Sequence, residues 1–269
     1  MKRGWKRLVA VSAALLAAVL VPGAKGEGPC VLPPGKDGGE KRTVVLPGGA
    51  ELTMVWIGAG KAVVGEEKAR VRMPVDGFWV GVCEVTQKQW QSVMGDNPSY
   101  FRGEELAVAS RRGELPVECV SWEDCMEFCR QTGLRLPTEM EWLRVRNDTW
   151  RLSTWSWTSD NSGGRTHPVG RSEPGWGGIF DMDGNVGEWC ADWFAPLPTA
   201  RAKNYAGPAT GTERVVCGGN WCGDQWFGIR LRKDRLSLPP DCRYNNVGFR
   251  VCLSPSPGGE GADGAEQGR

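Results

Sequence analysis

After Asn147 the sequence runs for about sixty-five residues without the spacing of a helix or a strand, until Arg214-Val-Val-Cys217. Tryptophan and glycine recur through it. A stretch that long normally counts against a compact domain, because every buried backbone group needs a partner. The chain has an answer in its side chains: 14 Trp and 38 Gly beside only 3 Tyr. Indoles bury large apolar areas, and each indole N–H seeks an acceptor. We therefore expect a loop-rich α+β fold, braced by many side chain to backbone hydrogen bonds.

Regular elements are legible on either side of that stretch. Leu52 to Ile57, Lys61 to Val64, Val71 to Met73 and Phe78 to Val82 read as short strands broken by Gly and Pro. Thr86 opens a helix reaching Met94, with Trp90, Val93 and Met94 on one side. Ser121 and Asp124 start a second helix that Gly133 stops. A third starts after Pro137, with Thr138 as cap and Glu141 at the capping-box position. Strands return at 214–217 and 248–252.

The ends read differently. Lys2, Arg3, Lys6 and Arg7 precede an apolar run from Leu8 to Val21 and a small-residue zone, so residues 1–26 are expected to be a signal peptide. The run is too short to span a bilayer, so export (periplasm, cell surface or medium) is favoured over a membrane anchor. A lipid anchor at Cys30 is disfavoured by the Glu27-Gly28-Pro29 that precedes it. Residues 27–48 read as a leader, 49–253 as the folded domain, and 254–269 as a disordered Gly/Pro/acid tail. Ten cysteines in an exported chain suggest some disulfides, although no C-x-x-C occurs. Cys125 and Cys129 share a helix face, either as a disulfide pair or as two small core residues.

Charge and histidine content remove whole classes of function. With 33 Lys+Arg against 32 Asp+Glu, no nucleic-acid partner is expected. His167 is the single histidine, so multi-histidine metal sites are excluded and any catalytic triad would depend on it alone. It lies in a loop before Pro168, with no nucleophile of matching context. Arg230, Arg232, Arg235 and Arg243 form a basic cluster whose ordinary role is bracing loops through carbonyls. Glu139 and Glu141 point in different directions on their helix, and capping explains Glu141 better than acid–base chemistry.

Eight segments carry a resemblance when taken in order. They are Glu84-Val-Thr86, Asn97-Pro-Ser-Tyr-Phe101, Pro116 to Trp122, Arg135 to Trp142, Pro168-Val-Gly170, Asp181-Met-Asp-Gly-Asn-Val-Gly-Glu-Trp189, Gly218-Gly-Asn-Trp221 and Gly248-Phe-Arg250. Over about residues 50–253 the chain resembles the sulfatase-modifying-factor family, the formylglycine-generating-enzyme-like domains. The resemblance implies a C-type-lectin-like fold. Oxidising members carry two cysteines five apart after the Gly-Gly-Ser-Tyr-type motif and bind copper there. Laying Gly218-Gly-Asn-Trp221 on that motif puts Gly223 and Gly228 at the two positions, with Cys222 one residue early. A lone thiol does not make the paired soft-ligand site of copper(I), so no copper is expected. The resemblance also places calcium on Asp181, Gly184, Val186 and Glu188, a Gly-punctuated oxygen-rich loop. The rival reading is a metal-free loop in which Asn185 and Glu188 hydrogen-bond their surroundings.

Residues 218–250 also resemble the C-terminal variable region of proteins diversified by retroelements. Trp221, Arg235, Pro240, Asp241, Arg243, Gly248, Phe249 and Arg250 stand at framework positions. Between them Cys222, Gly223, Gln225, Trp226, Phe227, Leu236, Ser237, Leu238, Cys242 and Tyr244 form a candidate ligand-binding surface. Exposed apolar and aromatic residues are what a recognition face needs; the plainer alternative is that Trp226, Phe227 and Leu236 pack the fold. The function expected is that of an exported, non-catalytic, monomeric binding protein whose ligand is a protein or surface glycan. The alternatives are a formylglycine-generating oxidase, another oxidase of this scaffold, or a structural envelope protein.

Overall fold

The computed structural model describes residues 30–65, 70–102, 114–149, 156–223 and 235–256. The expected signal peptide, most of the expected tail, and Gln225, Trp226 and Phe227 lie outside them. Ten strands and three helices follow in order. Strands β1 (Lys41–Val45), β2 (Glu51–Ile57), β3 (Gly60–Val64), β4 (Val71–Val75) and β5 (Phe78–Gly81) come first. Helices α1 (Gln87–Met94), α2 (Trp122–Thr132) and α3 (Glu139–Thr149) form the middle. Then come β6 (Gly187–Trp193), β7 (Arg214–Cys217), β8 (Arg235–Leu238), β9 (Val247–Gly248) and β10 (Cys252–Leu253).

The strands make two four-stranded sheets, ordered β1-β2-β5-β10 and β8-β7-β6-β9, and a β3–β4 hairpin. All pairings are antiparallel except β6 with β9, which is parallel. This is the loop-rich α+β architecture expected. The span expected as a leader, 27–48, enters the domain: β1 pairs with β2 in register from Lys41↔Val55, and Leu32 is buried in the core. The Val44 and Leu46 side chains face that core, which is why a strand forms where Gly and Lys had suggested a linker.

Helix starts follow their caps. Thr86 and Ser121 both close capping boxes, with Gln89 and Asp124 as the reciprocal partners. Gly133 ends α2 in the left-handed region at φ 73°. Thr138 accepts from the Glu141 N–H at 3.1 Å, and Glu141 reaches back to the Thr138 N–H at 2.8 Å. Cys125 and Cys129 point into the core beside Phe128 as free thiols, and the other eight cysteines are free as well.

Indole donors tie distant segments together, although the buried Trp157 indole N–H has no partner. Trp122, Trp189 and Trp221 donate their indole N–H groups to the Cys190, Val120 and Asn245 carbonyls at 3.0 Å each. Among the described residues two elements lie within the stretch after Asn147, a 3-10 turn at Trp176–Gly178 and β6, the strand between β7 and β9. It is buried along most of its length yet carries Glu188 and Asp192, whose charges disguise it as a loop. Among the described residues no helix is long and apolar enough to cross a membrane.

Candidate functional site

The segment 218–223 lies on the loop 181–186 and is tied to it through the backbone. The Gly184 N–H donates to the Gly218 carbonyl at 2.6 Å, and the Trp221 N–H to the Asn185 carbonyl at 2.9 Å. Gly184 sits at φ 86°, and a Cβ there would run into the Trp157 carbonyl. Only glycine fits both demands. Asn185, itself at φ 57°, donates its N–H to the Trp157 carbonyl and grips His167 from both ends of its amide, at 2.9 and 3.2 Å. The His167 ring then stacks on Trp157, with centroids 3.7 Å apart. The single histidine is thus a structural element of this loop cluster. On the other side, the Ser162 hydroxyl donates to the Trp221 carbonyl at 2.7 Å.

Cys222 follows directly. Its N–H and its thiol both point at Asn220 Oδ1, at 3.0 and 2.9 Å, and the buried Asn246 amide donates to its sulfur at 3.4 Å. Burial pushes this thiol's pKa up, so it is held protonated, whereas metal-binding and redox chemistry need the thiolate. Gly223, where the resemblance would put a cysteine in an oxidase, has φ 61°, and a Cβ there would meet Ser159 Oγ at 2.7 Å. Gly228 lies outside the described residues.

Of the expected calcium positions, Glu188 is already engaged. Glu188 and Arg250, each 1% exposed, form a bidentate pair in which both Glu188 oxygens accept at 2.6 Å. Glu188 also accepts from the Trp142 indole at 2.7 Å, and Arg250 donates to the Gly81 and Phe180 carbonyls. A calcium ion at Glu188 would have to displace a guanidinium whose charge already balances the carboxylate. Asp181 accepts from the Gly170 N–H at 2.7 Å, and its other oxygen has no partner. Nearby Glu84 is pushed well above the carboxylate range by burial and then by the charges of Asp181 and Glu188, so it is a neutral acid. Among the described residues no three acids, cysteines or histidines are arranged to hold a metal. The Arg250 pair thus opposes calcium at Glu188, whereas Asp181 Oδ1 and both Glu84 oxygens are buried without a hydrogen-bond partner. A chelator is accordingly expected to leave the melting temperature unchanged, whereas a bound ion would lose its stabilisation by mass action.

The remaining candidate residues divide by face. Strand β8 pairs with β7 so that Leu236 lies opposite Val216 and Leu238 opposite Arg214. With a period of two, both leucines face the core, and Leu238 is buried. The expected exposed patch loses Leu238 outright. Leu236 and Tyr244 are partly buried against the same cluster. Ser237 turns the other way and donates to Glu213 at 2.6 Å. Cys222, Gly223, Ser237 and Cys242 remain half-buried at the surface. Of the arginines, Arg243 is held bidentately by Asp124, and Arg235 by Glu139 and the Ala195 carbonyl. Arg230 and Arg232 lie outside the described residues.

Three features escaped the sequence reading. Arg250 and Trp142 were read only as parts of motifs, and nothing in their spacing pairs them with Glu188. Tyr100, 69% exposed, stands edge-on to Phe101 at 5.0 Å, and Phe101 edge-on to Trp221 at 5.3 Å, so the 97–101 motif borders the 218–223 segment. Asp192 is a buried acid in β6 whose pKa burial, and then Glu139 and Glu141, raise to about 7.

This arrangement has known relatives. The chain is 31% identical over 187 residues to the formylglycine-generating enzyme of Streptomyces coelicolor, covering 60% of this chain and 59% of that one. It is 30% identical over 165 residues to the inactive C-alpha-formylglycine-generating enzyme 2 of Mus musculus, covering 52% and 50%. The chain therefore spans between half and three-fifths of the length of these two relatives. Among solved structures, Treponema denticola variable protein 1 superimposes with a TM-score of 0.69 at 29% identity, covering 80% of this chain and 99% of that one. The family model described as the sulfatase-modifying factor enzyme 1-like domain matches residues 41–255, a span that begins at β1, holds both sheets and ends just past β10. Motifs, fold and match agree on the same stretch of chain, which belongs to the sulfatase-modifying factor enzyme 1-like family.

Proposed function

We propose that this chain is an exported, non-catalytic, monomeric ligand-binding protein, with a C-terminal recognition face mounted on a formylglycine-generating-enzyme-like scaffold. Its ligand is a protein or a surface glycan, and no nucleic acid is involved. The observation that carries the reading is the state of residues 222 and 223. Where an oxidase needs a reactive thiol pair there is a left-handed glycine packed on Ser159, preceded by a protonated, doubly hydrogen-bonded cysteine. Support comes from the Treponema denticola variable protein, whose whole length this fold covers.

Two measurements test it. Sequencing further copies of this gene should find substitutions concentrated at 222–244, with Trp221 and Gly248-Phe249-Arg250 unchanged; an even spread would remove the variable face. Incubating the protein with copper, oxygen and a cysteine-containing sulfatase peptide should yield no formylglycine. Turnover at a catalytic rate would restore the oxidase and overturn the proposal.

A further inference from the structure

A cavity of about 320 Å³ opens beside the loop cluster, walled by Trp157 and Pro174 and ringed by Ser156, Ser172, Asn161, Arg171 and Glu173. None of these belongs to the 222–244 face, yet the two adjoin: Asn161 and Trp157 flank the Ser159 and Ser162 that touch Gly223 and Trp221.

The lining specifies a ligand class. Arg171, paired with Glu114 at 3.1 Å, and Glu173 put one charge of each sign on the rim, so the lining carries no net charge to demand a charged ligand. An indole and a proline offer an apolar wall, and Trp157 is fixed in place by the His167 stack behind it. Hydroxyls, an amide and the polar ends of Arg171 and Glu173 supply donors and acceptors around that wall. The Ser172 oxygen accepts from the Asp181 N–H, which leaves its own hydrogen to donate. A neutral ring with one apolar face and hydroxyls around its edge matches each of these features, and the volume lies at the small end of ligand sites. We propose that this cavity binds a single neutral sugar ring, as a second subsite next to the recognition face. It deepens the ligand-binding reading by naming a ligand class, and rests on that reading for its setting.

The test uses the full chain and four probes: methyl α-glucoside, methyl α-mannoside, methyl β-galactoside and N-acetylglucosamine. Saturation-transfer NMR and tryptophan fluorescence should detect saturable binding of at least one, at roughly millimolar Kd for so small a ligand. Arg171→Ala and Glu173→Ala, both on the rim, should each weaken binding by about threefold to tenfold, the worth of one hydrogen bond. Trp157→Leu should abolish it; if that variant fails to fold, the rim variants decide. No binding of any probe, binding unchanged in both rim variants, or preference for free glycine or arginine over the sugars would overturn the proposal. Sugar binding by a chain whose copies do not vary at 222–244 would remove the variable face and leave this site standing, so the two ideas fail separately.

Discussion

Glu188→Gln is expected to destabilise the protein by about 3–5 kcal/mol, the cost of leaving one member of a buried ion pair without its partner. The carboxylate is 1% exposed and receives two Arg250 donors and the Trp142 indole. Glutamine offers one acceptor where the carboxylate offers two, and its amide donor would face the guanidinium. Arg250 would then stand buried without the carboxylate that accepts two of its donors. For a domain of this size the loss corresponds to a fall in melting temperature of about 6–20 °C, readable by circular dichroism. Arg250→Met should fall comparably, and the double variant should be less damaged than the two losses added, since the charges are removed together. Additive losses would mean that the pair is not an energetic unit.

Asp192→Asn is expected to act in the opposite direction, by an amount that grows between about pH 4 and 7. The folded-state pKa of Asp192 is raised to about 7 from the ordinary 3.8, by burial first and by Glu139 and Glu141 next. A raised pKa means that the folded protein holds the proton more tightly than the unfolded chain. Stability from this group is therefore full below pH 4 and is lost as the pH climbs to about 7. Three units are worth on the order of 4 kcal/mol. Asparagine cannot ionise and keeps an acceptor for the Glu139 N–H, which Asp192 binds at 2.8 Å. The variant should melt several degrees higher than the parent at pH 8, and the gap should close toward pH 4. Parallel melting curves across that range would show that Asp192 does not titrate there. Because Glu139 also holds Arg235, the first residue of β8, the same titration acts beside the anchor of the candidate recognition strand.

How much of this was legible depends on what each residue answers to. Thr86, Ser121 and Thr138 answer to their own helices, so the caps and the three helix starts could be read locally. Trp122, Trp189 and Trp221 answer to carbonyls, so the need for partners was legible from composition although the partners were not. β6 stayed hidden because its acids are neutralised by Arg250, 62 residues away, and by a helix N–H 53 residues back. The same distance hid the guanidinium that engages Glu188 in the loop where calcium is expected. Leu238 was misplaced because a strand's face is fixed by its pairing partner, here β7, and not by its own residues.

The attachment of the 218–223 segment has a consequence for inheritance. Trp221 is fixed by Asn185, Ser162 and Asn245, and Arg235 by Glu139 and Ala195, all of them outside the stretch that lies between the two anchors. Both anchors therefore draw on the scaffold and not on each other. A substitution at Trp221 or Arg235 would be felt by the scaffold as lost stability, so drift at these two positions should be slow.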